Sequence, residues 1–119
     1  MIERRIGPLT LADLVRYAGA GGDFNPIHFD GDVAQAAGFP GPFAHGLLTA
    51  GILSGVVTEL GRLRRYQVRY VAQVWPGDVL VCSAEGSGSA DGAYDLTVER
   101  EAPDGTREVV LRGSAEVEA

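Results

Sequence analysis

Cysteine is nearly absent from this 119-residue chain: Cys82 stands alone, so no internal disulfide can form and a stapled secreted scaffold is excluded. Positive charge is scarce as well. Ten basic residues against sixteen acidic ones leave a net charge of −6, unsuited to tracking nucleic-acid phosphates. The uncharged stretch Gly46 to Thr58 is thirteen residues long and carries three glycines, whereas a membrane span needs roughly 20 apolar residues. Residues Met1 to Arg5 hold no apolar signal core, which predicts a cytoplasmic protein. What remains is globular. With 45% hydrophobic and 22% charged residues, positions 1–119 read as one domain. A domain of this size buries roughly two-thirds of the surface of its unfolded chain.

Helical signals fill the first half. Leu11, Leu14, Val15 and Ala18 fall on one helix face, with Thr10 as N-cap, Asp13 three residues on, and Leu9 and Leu14 placed as a staple. Gly19, Gly21 and Gly22 end that helix, and residues 21–28 read as a loop. A short helix is expected from Asp32 to Ala37. The run after His45-Gly46 is apolar around most of its circumference, which predicts a helix surrounded by protein and capped at Gly61. Arg62, Arg64 and Arg65 would then suit the negative end of its dipole.

From Tyr66 onward the period is two. Runs at 66–74, 79–85, 94–100 and 108–117 alternate, and Pro76-Gly77-Asp78, Asp91-Gly92 and Pro103-Asp104-Gly105 separate them. Short connections make neighbours antiparallel. With Ile2 to Ile6 this gives an α+β fold: about five antiparallel strands curved around one long central helix.

The only two histidines, His28 and His45, lie in the glycine- and proline-rich half. Gly22-Asp23-Phe24-Asn25-Pro26-Ile27-His28 puts a carboxylate, an amide and an imidazole on one proline-stiffened loop. Such groups can divide an acid–base task. On spacing alone, Asx-turns and a structural histidine account for them as well. Pro42-Phe43-Ala44-His45-Gly46-Leu47 opens a helix, where free N–H groups beside a glycine could serve as an oxyanion hole; tight packing at Gly46 is the alternative. Asp23, His28 and His45 have the residue types of a metal site, but no local spacing enforces one and no metal is expected. The arginines 62, 64, 65 and 69 read as solvated charge, and Cys82 as a small core residue.

Together, Gly22 to His28 with Ala34, and Gly38 to Thr49, resemble the two signature blocks of the MaoC-like (R)-specific enoyl-CoA hydratases and (3R)-hydroxyacyl thioester dehydratases. The resemblance implies a hot-dog fold, an acyl thioester substrate, and pairing with an identical or different hot-dog subunit across the active sites. It implies that Asp23 and His28 are the catalytic dyad, that Asn25 holds their loop, that the Gly46 N–H is the oxyanion donor, and that Ser54 supports the site. No separate cofactor is implied, because coenzyme A or the phosphopantetheine of a carrier protein arrives with the substrate. A hot-dog thioesterase and a partner-dependent subunit are the alternatives.

Overall fold

A computed structural model describes residues 1–118 and follows the order β1 (Ile2–Ile6), α1 (Leu11–Gly21), a 3-10 turn (Pro26–His28), α2 (Gly31–Ala36), α3 (Gly46–Val57), β2 (Arg62–Tyr70), β3 (Val79–Gly86), β4 (Ala93–Glu101) and β5 (Arg107–Glu118). The strands form one antiparallel sheet in the order β1-β3-β4-β5-β2. Helix α1 starts where the sequence places it. Thr10 and Asp13 form a reciprocal capping box, and Gly22 ends the helix in the left-handed conformation that suits glycine.

The sheet curves over α3. Thr49, Ala50, Leu53, Val56 and Val57 face inward, against Leu80, Leu96, Val98 and Leu111. The Tyr66 hydroxyl donates to the Ala50 carbonyl at 2.6 Å, tying sheet to helix. Two expectations change here. The helix ends at Val57 rather than Gly61, because Glu59 and Leu60 N–H turn back to the Val56 and Val57 carbonyls and tighten its end. Within one chain the helix is also not enclosed: Leu47, Gly51 and Gly55 stay exposed, because a single sheet can cover only one side of a helix 10–12 Å across. Among the described residues no helix is long and apolar enough to cross a membrane.

The strand expected at 66–74 lies earlier, at Arg62–Tyr70. A bulge at Arg64 lets Leu63 pair with Val117 and Arg65 with Glu116, and beyond Tyr70 the chain leaves the ladder. It turns so that the Val74 carbonyl accepts from Ala44 N–H at 2.8 Å, which anchors the segment leading into α3. The arginines 62, 64 and 65 therefore sit on a strand and not at a helix end.

The carboxylate of Asp78 is 1% exposed and is held by the Arg100 guanidinium at 3.1 Å and the Trp75 N–H at 2.8 Å. Removing the cation strands a buried charge. Arg100→Met should cost about 3–5 kcal/mol, read from the denaturant midpoint at constant slope. A loss under 1 kcal/mol would show that the pair is dispensable.

Burial pushes the Cys82 thiol up from 9.0 to about 11 and, with help from Tyr70 and Cys82, the Tyr66 phenol up from 10.0 to about 12. Both groups hold their proton longer in the folded chain. Their stabilising contribution is complete below pH 9.0 and is lost as pH rises through about 11 and about 12. Stability should therefore fall progressively above pH 9.0, and Cys82 should resist a thiol reagent at neutral pH until denaturant is added. Rapid labelling of the native protein would contradict this.

Candidate active site

Between α1 and α3 the chain folds into a knot of local hydrogen bonds. Asp23 Oδ1 accepts from Asn25 N–H at 3.2 Å, and Asn25 Oδ1 accepts from Ile27 N–H at 3.2 Å, capping the 3-10 turn. Pro26 stands at the first position of that turn, where its missing N–H costs nothing. The turn delivers His28 inward. Its ring is 8% exposed, packs edge-on to Phe43, and donates from Nδ1 to the Phe43 carbonyl at 2.7 Å. A carbonyl can only accept, so Nδ1 carries the proton and Nε2 keeps its lone pair.

His45 closes the cluster. Its ring stacks on His28 with centroids 3.7 Å apart and planes 24° apart, and Tyr17 flanks it at 4.9 Å. Its Nε2–H donates to the Asp23 carbonyl at 3.0 Å and lies 3.7 Å from Asp23 Oδ2. One carboxylate oxygen of Asp23 and one ring nitrogen of each histidine lie within 4.8 Å of one another. The Asp23 carboxylate is 54% exposed, whereas the His28 ring is buried and anchored at 2.7 Å.

As placed, these donors do not converge on an ion. Imidazole binds metal in the ring plane at about 2 Å, and planes stacked this closely at 24° do not meet within that reach. The His45 Nε2–H is moreover already committed to a backbone carbonyl.

His45 occupies the N-cap position of α3, yet its side chain makes no capping bond because it is turned toward Asp23. The first turn thus has no side-chain cap; the Leu48 N–H turns back to the His45 carbonyl at 3.1 Å, and the positive end of the dipole lies behind the N–H groups of Gly46 and Leu47. Gly46 is the first of these residues. A Cβ there would meet the Tyr70 ring at 2.8 Å, so only glycine lets the tyrosine lie against this backbone. Beside them is a cavity of about 330 Å³ lined by Phe43, Gly46, Leu47, Tyr70, Val74 and Val110.

The structure thus brings Asp23, Asn25, His28 and Gly46 into one neighbourhood and leaves Ser54 out. Ser54 lies two turns further along α3, about 12 Å from Gly46 along the axis, and its hydroxyl donates to the Gly51 carbonyl at 2.7 Å. The β2 arginines form no cluster at the site; Arg64 pairs with Glu118 at 2.8 Å. His45 and Tyr70 are the additions. Sequence spacing offers His45 only as a metal ligand, and nothing local pairs Tyr70 with a glycine 24 residues away.

Residues 3–107 match the MaoC like domain family. The chain belongs to that family. This MaoC-like domain is 39% identical over 92 residues to 3-hydroxyacyl-thioester dehydratase X of Mycobacterium tuberculosis, covering 76% of this chain and 31% of that protein. It is 37% identical over 110 residues to the fatty acid synthase beta subunit pkiC of Emericella nidulans, covering 86% of this chain and 6% of that one. Among solved structures, the R-hydratase PhaJ1 of Pseudomonas aeruginosa superimposes with a TM-score of 0.79 at 23% identity, over 99% of this chain and 80% of its own. That likeness carries the hot-dog fold. The domain spans less than a third of the curated relatives it matches.

Proposed function

We propose that this domain catalyses the reversible hydration of trans-2-enoyl thioesters to (3R)-3-hydroxyacyl thioesters. The observation that carries the reading is the solvent-reached Asp23 carboxylate with a His28 ring nitrogen within 4.8 Å of it, in a ring whose Nδ1 is anchored to the Phe43 carbonyl at 2.7 Å. A carboxylate oxygen and an imidazole nitrogen within 4.8 Å of one another leave room for one water between the two groups. In the hydration direction that water loses a proton to the dyad as its oxygen bonds to C3. The dyad returns a proton to C2, and the charge gathered on the thioester oxygen meets the Gly46 N–H. Dehydration runs the same steps backward. Asn25 keeps the loop in register.

The thioester handle is coenzyme A or a carrier-protein phosphopantetheine, and no further cofactor enters these steps. The exposed Leu47–Gly51–Gly55 side of α3 supports pairing with a second hot-dog chain, identical or different, and a cytoplasmic setting accords with the single thiol.

The test is purified protein with crotonyl-CoA, following loss of the conjugated enoyl absorbance, with product configuration read by an (R)-specific dehydrogenase. Loss of absorbance with (R)-product supports the proposal. Free thiol release without hydration replaces it with a thioesterase. No turnover of CoA- or carrier-bound enoyl thioesters, alone or with a partner subunit, removes it.

A further inference from the structure

His45 is 4% exposed, and among the described residues its Nδ1 is the one buried side-chain polar atom without a hydrogen-bond partner. Its neighbour nitrogen is fully used: Nε2–H is given to the Asp23 carbonyl at 3.0 Å. Because a carbonyl accepts only, this bond sets the tautomer, and Nδ1 is the bare nitrogen left in an apolar setting. An orphan of this kind lowers stability, and any apolar ring of the same size would avoid it. The ring must therefore be doing something packing does not require. It touches both members of the dyad: its donor holds the backbone of Asp23, and its face lies on His28 at 3.7 Å.

We infer that His45 is a positioning residue for the dyad, holding the Asp23 loop through Nε2–H and the His28 ring plane by stacking, at a net cost to stability. The inference rests on the proposed hydratase reading. It adds a residue that makes no contact with the reacting atoms. The two functions of the ring separate chemically. Phe at position 45 keeps the stacking face and removes both the donor and the orphan nitrogen. Gln places an N–H near the reach of Nε2 and removes the stacking face.

Three measurements decide the matter. In His45→Phe, kcat should fall on the order of 100-fold with KM little changed, because a loop displaced by about 1 Å costs that much, while the melting temperature holds or rises. His45→Gln should recover part of that kcat. Amide exchange at Asn25, whose N–H rests on Asp23 Oδ1, should be faster in His45→Phe than in wild type and slower again in His45→Gln. Wild-type kcat and unchanged Asn25 exchange in His45→Phe would overturn the inference. So would a collapse of melting temperature in both variants, which would make the ring a packing element. If the wild-type chain turns over no enoyl thioester, the hydratase reading fails first. The Asn25 exchange comparison still decides whether His45 holds the loop.

Discussion

Asp23→Asn should lower kcat for enoyl-thioester hydration by about 100- to 10,000-fold, the range expected when a positioned acid–base group is removed. Structure makes this substitution unusually clean. The side chain is 54% exposed, and its one side-chain hydrogen bond among the described residues, from Asn25 N–H, can be kept by the amide oxygen of Asn. What goes is the basicity, together with the 3.7 Å contact of the charged Oδ2 to His45 Nε2. Melting temperature should therefore stay within a degree or two while the rate falls. The companion variant is His28→Asn. Its Nδ2 lies near the position of the imidazole Nδ1 and can still donate to the Phe43 carbonyl, so Nε2 is deleted with the anchor retained. His28→Ala is a poorer choice, because this ring is buried against Phe43 and His45 and its removal leaves a cavity. Wild-type rates in either Asn variant, measured with crotonyl-CoA, would remove the dyad from the mechanism.

The second large effect is expected at Gly46. An added methyl would stand 2.8 Å from a Tyr70 ring carbon, closer than any real contact, so the tyrosine must swing away or the start of the helix must shift. Either movement disturbs the N–H that we propose meets the thioester oxygen. Losing such a donor costs on the order of 3–4 kcal/mol in the transition state, or about 100- to 1,000-fold in kcat. Gly46→Ala should show a loss of this size. Backbone strain is not the cause, since Gly46 is not among the positive-φ glycines and alanine favours helix. Stability should then change little. A decisive control is Gly46→Ala with Tyr70→Ala: if the clash is the whole effect, removing the ring restores much of the rate. Full activity in the single variant would show that this N–H is not the oxyanion donor.

Much of this was legible in one dimension because it is encoded locally. The Thr10–Asp13 capping box, the proline-stiffened Asp23–His28 loop, the glycine opening α3 and the hairpin turns each rest on residues within a few positions of one another. A sheet wrapped over a helix follows from the same signals, since a period-two half must cover an apolar helix, and the family resemblance names that arrangement a hot-dog fold. The features not legible are tertiary. His45 stacks on a ring seventeen residues away, Tyr70 fits a glycine across the helix–sheet boundary, and β2 starts four residues early with a bulge at Arg64. The continuous apolar run of α3 misled for a different reason. Apolarity records that a surface is destined for cover, without saying whether the cover comes from the same chain.

The strand order β1-β3-β4-β5-β2 has a consequence for how the chain is born. Asp23, His28, His45, Gly46 and Tyr70 have all been synthesised by Tyr70, but β2 pairs with β5, and β1 waits for β3, with Ile2 opposite Ala84. At about 5–20 residues per second, the 48 residues from the end of β2 at Tyr70 to its last partner, Glu118, take several seconds to appear. Until β3 and β4 appear α3 has no sheet to lie under, and β2 joins that sheet only once β5 exists. This stretch of biosynthesis is when the nascent chain is most exposed to chaperones and to aggregation, and the cavity beside the site is complete only when Val110 of β5 is laid down.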